Sequence, residues 1–292
     1  MPGTLYLCAT PIGNLEDITF RVLRTLREAD LIAAEDTRHS IKLLNHFDIK
    51  TPMTSYHEYN KVEKAAYLVE RLKEGLNIAL ITDAGTPGIS DPGEELVRQC
   101  AAAGISVTSL PGPAACITAL PMSGLPTRRF CFEAFLPSER SDKRERQRIL
   151  EELKKETRTI ILYEAPHHLL GTLRDLEEAL GGERHVSLCR ELTKRYESVL
   201  RATLEEAIAS LSQEEPKGEW VIVLEGRHPE EIRREEIRSW EEMSLEEHME
   251  YYLSQGQDRK EAMRSVAKDR GIRKRDVYQQ LLTEETDRYG QF

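Results

Sequence analysis

The chain has 292 residues, of which 39% are hydrophobic, and its length favours two or three domains over one. The formal net charge of −10 disfavours a protein that binds nucleic acid over its whole surface, because phosphate contacts come from lysine and arginine. Five scattered cysteines without a CxxC pair, and no apolar run near the ~18–20 residues of a membrane helix, predict a cytoplasmic protein without membrane spans.

Strands and helices alternate along the first 120 residues. Apolar runs at 4–9, 31–34, 77–81 and 105–110 indicate strands, and helical spacing of apolar residues covers 18–30, 61–75 and 93–104. Gly75 and Gly104 follow two of these helices, as is typical of helix C-termini. The alternation predicts an N-terminal α/β domain over 1–120 with a largely parallel sheet.

The remaining residues predict a second α/β domain and a helical tail. Residues 121–226 contain strand-like runs at 128–136, 157–166 and 218–226, but their pairing directions stay open. The charged stretch 138–156 is predicted as half helix and half mobile loop, with a basic part at 138–148. Over 227–292 we expect a charged linker and three helices separated by Gly256 and Gly271, a spacing that is typical of a helix-turn-helix module. Residues 257–282 carry eight Lys/Arg against four Asp/Glu.

Three glycine- and proline-rich turns follow strands in the first domain: "TPIGN" (10–14), "DAGTPGISDPG" (83–93) and "PGPAA" (111–115). One such turn alone is usually a plain connection, but ligands bind where the carboxyl ends of parallel strands meet. Neither the phosphate-loop pattern nor the dinucleotide fingerprint is present, and residues 82–97 contain no lysine or arginine. The turns therefore favour a cleft for a ligand with a cationic or neutral reacting centre.

The ordered set "LYLCATPIGNLEDIT", "AAEDTRHS", "SYHEYN", "ITDAGTPGISDPG", "LPGPAA" and "LYEAPHHL" resembles the ribosomal RNA small-subunit methyltransferase I family of the tetrapyrrole methylase superfamily. The resemblance covers residues 3–226, and the tail is similar to the family's C-terminal piece. It implies two α/β domains with S-adenosyl-L-methionine between them and a homodimer. It also implies 2′-O-methylation of a cytidine in small-subunit (16S) ribosomal RNA, which makes that RNA the macromolecular partner.

The same resemblance implies a set of cofactor-binding residues. Carried over by matching motifs, they are Pro11, Gly13, Asp83, Gly85, Ile89, Ser90, Ala115, Cys116, Tyr163 and Glu219. Four of them have a plainer interpretation: Pro11 and Gly13 turn the chain, Asp83 caps a helix or turn, and Cys116 is a small buried hydrophobe.

Candidate catalytic residues gather where the second strand ends and in "YHEYN". Removal of the ribose hydroxyl proton is helped by a general base, and the hypothesis is that Glu35, Asp36 and Arg38 order the ribose and phosphate with His57 nearby. The alternative is a structural ion-pair cluster. No group of histidine, cysteine and acidic residues has the spacing of metal ligands. The G-x-S-x-G motif of serine hydrolases does not occur either.

Two other functions stay open at this point. One is an S-adenosyl-L-methionine-dependent enzyme acting on a tetrapyrrole or another small molecule, which the basic tail "RKRDVY" (273–278) disfavours. The other is a DNA-binding regulator without enzymatic activity, which the acidic total disfavours. "RKRDVY" either contacts RNA phosphates or forms a solvated helix surface.

Overall fold

A computed structural model describes residues 1–137, 142–213 and 215–289. The chain separates into two compact units, Met1–Gly226 and Arg227–Phe292. The first unit contains two five-stranded sheets and the second contains helices. The predicted α/β class with a helical C-terminal part is confirmed. The domain boundary between residues 120 and 121 stays a prediction, and a helix, Ala115–Ser123, runs across it.

The first sheet is entirely parallel, with strand order β3-β2-β4-β1-β5. Its strands are β1 Thr4–Cys8, β2 Leu31–Ala34, β3 Met53–Ser55, β4 Ile78–Ile81 and β5 Ser106–Leu110. The helices between them are α1 Phe20–Glu28, α2 Thr37–His46, α3 Lys61–Lys73 and α4 Gly93–Ala102.

Strand β4 shows why this sheet has helices on both faces. All four of its residues are buried. Ile78 and Leu80 pack into one core with residues of α3 and α4, while Ala79 and Ile81 pack into another with residues of α1 and α2. A strand buried on both faces reads as a continuous apolar run, which is how "IALI" appears in the sequence.

The second sheet is mixed, with strand order β6-β7-β10-β8-β9. Its strands are β6 Phe130–Phe132, β7 Thr159–Glu164, β8 His185–Arg190, β9 Ser198–Thr203 and β10 Trp220–Leu224. Only the β6–β7 pair is parallel within this sheet. Its helices are α5 Ala115–Ser123, α6 Lys143–Leu153, α7 Pro166–Leu180 and α8 Leu204–Leu211. Side chains of α6, α7 and α8 join one core, and those of α5 join another.

The charged stretch 138–148 divides into two parts. Residues 138–141 lie outside the described residues. From Lys143 onward the chain is helical, with Asp142 accepting a hydrogen bond from the Glu145 N–H at its start. Arg146 of this helix is buried, so it is not a surface contact for a ligand.

The second unit has four helices in its described part: α9 Pro229–Glu242, α10 Leu245–Ser254, α11 Arg259–Asp269 and α12 Lys274–Tyr289. The last three correspond to the predicted tail helices, and the segment predicted as a charged linker is helical. Met249, Val266 and Val277 join α10, α11 and α12 in one apolar core. None of the described helices is both long and apolar enough to cross a membrane.

Candidate active site

Loops from the carboxyl edge of the first sheet are joined by hydrogen bonds. The backbones of Thr10 and Gly85 exchange two bonds, of 2.9 and 3.0 Å, which link the loop after β1 to the loop after β4. Thr86 Oγ1 donates to the Pro113 carbonyl at 2.9 Å, which adds the loop after β5. The three glycine- and proline-rich turns therefore form one wall, as their position after parallel strands predicts.

A cavity of about 420 Å³ lies between this wall and the second sheet. The opposite wall comes from the end of β7, with Tyr163 and Glu164, and from the start of β10, with Trp220. These ends meet because β10 runs antiparallel to β7 and pairs Trp220 with Glu164. The volume falls within the ~300–1,000 Å³ of small-molecule sites.

Most residues predicted to bind the cofactor line this cavity. They are Asp83, Gly85, Ile89, Ser90, Ala115, Tyr163 and Glu219. The other three, Pro11, Gly13 and Cys116, are not in its lining, but each is adjacent in sequence to a residue that is: Ile12 or Ala115. The Cys116 N–H donates to Tyr163 Oη at 3.0 Å and so fixes the Tyr163 ring. Burial raises the pKa of Tyr163, which keeps its hydroxyl protonated.

Two glycines allow neighbouring loops to approach closely. A Cβ on Gly13 would lie 2.9 Å from Thr193 Oγ1 and 3.0 Å from the Leu192 carbonyl oxygen, in the loop after β8. A Cβ on Gly112 would lie 2.6 Å from the Cβ of Ala9, in the loop after β1. All three distances are shorter than ordinary van der Waals contact. Gly13 therefore lets the loop after β1 approach the loop after β8, and Gly112 lets two loops of the first wall pack together.

Asp91 organises the loop after β4. Its carboxylate accepts hydrogen bonds from the N–H groups of Gly88, Ile89 and Gly93 at 2.8, 3.2 and 2.7 Å. Ser90 has a φ of 63° within the tight turn that these bonds close. Burial raises the pKa of Asp91 against the effect of these donors. The three amides are thereby satisfied inside the loop.

Asp83 and Glu35 place two carboxylates in the cavity. Asp83 Oδ1 accepts a hydrogen bond from the Asp36 N–H at 3.1 Å, and Glu35 Oε2 accepts one from Thr82 Oγ1 at 2.6 Å. Burial raises the pKa of Asp83, and the negative charge of Glu35 adds to this shift. Asp83 is therefore a better proton acceptor near neutral pH than an ordinary aspartate.

Of the four residues predicted to be catalytic, Glu35 alone lines the cavity. Asp36 caps α2 and binds Arg38 Nη2 at 2.8 Å, and the hydrogen bonds from Arg38 lower the pKa of Asp36 to about 2. The Arg38 side chain is 90% exposed. His57 forms a capping box with Asn60 at the start of a short helix. Asp36 and Arg38 thus form the kind of ion pair that the plainer interpretation of this cluster describes, and the contacts of His57 are those of a helix cap.

Several lining residues had not been singled out in the sequence. They are Thr82, Thr86, Asp91, Phe135, Glu164, Leu192 and Trp220 among others. Glu164 belongs to the quoted motif "LYEAPHHL" at the end of a strong strand, which was a usable signal. No sequence signal marks Phe135 and Trp220 as cavity residues, because an aromatic residue in or beside a strand is ordinarily part of the core.

The cavity lining is acidic. Five of its residues carry carboxylates: Glu35, Asp83, Asp91, Glu164 and Glu219. Among the described residues that line it there is no lysine, arginine or histidine. Three of these carboxylates already have partners, since Asp91 accepts from loop amides, Glu164 from Thr172 and Glu219 from Lys194. With Glu35 and Asp83, this set of acceptors fits a cationic ligand with hydroxyl and amino groups, and it fits a polyphosphate poorly. In the ranges that the structure describes, no group of three or more His, Cys, Asp or Glu side chains is placed to hold a metal ion.

Comparison with known proteins decides the family. Residues 4–208 match the family described as Tetrapyrrole (Corrin/Porphyrin) Methylases. The chain is 53% identical over 276 residues to ribosomal RNA small subunit methyltransferase I of Halalkalibacterium halodurans, which covers 94% of this chain and 93% of the relative. The chain belongs to the ribosomal RNA small subunit methyltransferase I family. A second member, from Synechocystis sp., is 49% identical over 285 residues, or 98% of this chain and 99% of the relative.

Solved structures of tetrapyrrole methylases share this fold. The methyltransferase CobJ has a TM-score of 0.58 at 19% identity and covers 77% of this chain and 94% of its own. A uroporphyrin-III C-methyltransferase from Thermus thermophilus, complexed with S-adenosylhomocysteine, has a TM-score of 0.52 at 20% identity, with 76% and 97% covered. Members of the methyltransferase I family are S-adenosyl-L-methionine-dependent, and that molecule is the cofactor of this chain. Its positive sulfur matches the acidic lining of the cavity.

The second unit carries a basic groove of about 580 Å³ between α11 and α12. Arg259 and Lys260 of α11 and Lys274 and Arg275 of α12 line it together with Met263 and Tyr278. Each pair of cations belongs to the first turn of its helix, where the backbone dipole also favours an anion. Three residues of the predicted "RKRDVY" contact segment thus contribute to one groove.

Proposed function

We propose that this protein transfers a methyl group to the ribose 2′-oxygen of a cytidine in 16S ribosomal RNA. The observation that carries the proposal is the acidic cavity of about 420 Å³ in a chain that matches methyltransferase I relatives along nearly their whole length. The proposed substrate implies a cytoplasmic location, since ribosomal subunits are cytoplasmic. A homodimer, implied by the family resemblance, belongs to the same proposal and is tested by light scattering.

Within this proposal the cavity holds and orients the reactants. S-adenosyl-L-methionine supplies a methyl group attached to a positively charged sulfur. The cavity walls hold the ribose hydroxyl in line with that methyl group, and alignment of this kind supplies much of the rate of a displacement. Tyr163, fixed by the Cys116 N–H, and the loop organised by Asp91 provide rigid parts of these walls.

We assign acceptance of the hydroxyl proton to Asp83, with Glu35 as its modulator. Asp83 lines the cavity and has a raised pKa, and Glu35 contributes to that shift through its negative charge. When two carboxylates lie close together, their negative charges repel each other, and the pKa of one of them rises toward neutrality. Asp36 and Arg38 then have a positioning role, because the Asp36 N–H holds Asp83 Oδ1.

We assign RNA contact to the basic groove of the second unit. Four cations along one groove match a phosphodiester backbone, and Tyr278, which is half exposed, offers a ring for a base to stack on. A tetrapyrrole or another small substrate has no need of such a groove. This charge pattern therefore favours the RNA substrate over the small-molecule alternative.

The deciding experiment incubates the protein with methyl-labelled S-adenosyl-L-methionine and small ribosomal subunits, followed by mapping of the labelled nucleotide. We expect label on one cytidine, resistant to alkaline cleavage at its 3′ side because the 2′-oxygen is blocked. Label on a base would overturn the 2′-O assignment. A parallel incubation contains a tetrapyrrole in place of the subunits, and label there but none in RNA would favour the small-molecule alternative.

A further inference from the structure

Phe135 stands out because a short, firmly held segment presents it to the cavity. After β6 ends, the Glu133 N–H donates to the Ile161 carbonyl at 2.9 Å, and the Tyr163 N–H donates to the Ala134 carbonyl at 2.7 Å. Ala134 itself has a φ of 53°, in the left-handed region that is unfavourable for residues other than glycine. The chain therefore changes direction immediately before Phe135, and the hydrogen bonds to its neighbours maintain that turn.

The segment is also held on the other side of Phe135. Leu136 is buried in the core between the second sheet and α6 to α8. The Pro137 carbonyl accepts a hydrogen bond of 2.9 Å from Nη1 of the buried Arg146. Arg146 is in turn bound to Asp175 at 2.6 Å. Phe135 is thus an outward-facing residue between two anchors.

Phe135 is 54% exposed and lines the cavity. Its centroid lies 5.6 Å from that of Tyr163, at an interplanar angle of 64°. Tyr163 is fixed by the Cys116 N–H and by an edge contact with Phe132 at 4.8 Å. The exposed half of this apolar ring forgoes the free energy that burial would give. Because its neighbours hold it rigidly, the ring is well suited to stack on a ligand.

Acidic and basic side chains belong to different elements around this segment. The cavity is lined by carboxylates. Arg146, whose guanidinium contacts Pro137, belongs to the first turn and a half of α6, where Lys143 and Arg144 are exposed. The Asp142 carboxylate is used to cap this helix. A cationic reactant therefore fits the cavity, and the phosphates of a nucleotide, repelled by its carboxylates, stay outside it, where exposed cations such as Lys143 and Arg144 are available.

From this arrangement we infer that Phe135 is the stacking platform for the pyrimidine ring of the substrate nucleotide whose ribose enters the cavity. The inference rests on the proposed RNA substrate and adds the subsite that receives the target base. Stacking of an unpaired base on an aromatic side chain is the common mode by which proteins hold a nucleotide drawn out of RNA. The acidic pocket and the aromatic platform then hold the two halves of the same nucleoside.

The test compares F135A, F135L and F135W in methyl transfer to small ribosomal subunits under single-turnover conditions, with S-adenosylhomocysteine affinity measured by calorimetry. We expect F135A to lower kcat/KM for RNA by roughly 5- to 150-fold, the range for loss of one base stack. F135L, which keeps an apolar side chain, should also lose activity, whereas F135W should retain most of it. Affinity for S-adenosylhomocysteine should change by less than about twofold, because the ring stacks on the substrate base and does not contact the cofactor.

Tyr67 of α3 provides a matched control, since it is an aromatic residue with 50% exposure that does not line the cavity. Y67A should methylate RNA at the wild-type rate. If F135A and F135L match the wild type on RNA, the platform is refuted while the proposed function stands. If they weaken S-adenosylhomocysteine binding as much as RNA turnover, the ring serves the cofactor and the inference fails. A wild-type protein that leaves RNA unmethylated overturns both proposals.

Discussion

Replacement of Arg146 by methionine tests whether a buried ion pair supports the segment beside the cavity. The Arg146 side chain is 8% exposed, and its guanidinium donates to Asp175 at 2.7 Å, to the Pro137 carbonyl at 2.9 Å and to Thr172 Oγ1 at 3.0 Å. Methionine keeps an extended apolar stem and removes every donor. Asp175 and Pro137 then lose the partner that satisfies them inside the protein.

We expect a loss of about 3 kcal/mol in the free energy of unfolding. Removing one partner of a buried pair costs about 3–5 kcal/mol, because the remaining charge is left without compensation. The Asp175 side chain is 26% exposed, so water compensates part of this cost and the lower end applies. At about 2–4 °C per kcal/mol for a unit of this size, the melting temperature should fall by about 6–12 °C.

Urea unfolding followed by Trp220 fluorescence measures this effect. The chain has two tryptophans, and the W240F background removes the signal of the second unit. R148M is the matched control: its side chain lies on the same helix but is 62% exposed, and it should cost no more than about 1 kcal/mol. The reasoning fails if R146M unfolds like its parent, or if R146M and D175A simply add in a double-mutant cycle.

Three further predictions concern the cavity and the groove. Gly112→Ala places a methyl group 2.6 Å from a neighbouring Cβ, so we expect about 1–3 kcal/mol of destabilisation and weaker S-adenosylhomocysteine binding by calorimetry; wild-type values for both would contradict the close-approach argument. Methyl transfer should fall as pH decreases through the raised pKa of Asp83. Glu35→Gln removes a negative charge beside Asp83 and so lowers the pKa of Asp83. The acid limb of the pH–rate profile should therefore move to lower pH, and a limb that does not move would show that Glu35 leaves the pKa of Asp83 unaffected. Reversing the charges of Lys274 and Arg275 should weaken RNA binding and flatten its salt dependence while leaving cofactor affinity unchanged, and a parallel loss of both would mean that the groove is structural.

The elements that could be predicted are those whose signal is local. A run such as "IALI" is apolar because both faces of β4 are covered, and the turns after parallel strands must share one edge of the sheet. The absence of positive charge from residue 82 to residue 97 was equally readable, and it excluded a phosphate cradle before any geometry was known. These features depend on residues close together in the chain.

The interpretation of the charged residues needed three-dimensional contacts. "AEDTR" places Glu35, Asp36 and Arg38 within four positions, yet only Glu35 faces the cavity, because Asp36 is used to cap α2 and to bind Arg38. Arg146 appeared to belong to a mobile basic stretch, and it is buried because Asp175 lies 29 residues away in sequence but 2.6 Å away in space.

The sequence by itself determined the α/β class and the wall of glycine-rich loops, since hydrophobic periodicity and turn residues act over a few positions. The ordered motifs, by resemblance, indicated the family. The tertiary structure decided how the second sheet pairs, which carboxylates meet in one cavity and which ring stands at its edge. Phe135 shows the reason. Its exposure depends on the turn at Ala134, the burial of Leu136 and the hydrogen bond from Arg146, and no local pattern records contacts that are made only when distant segments pack together.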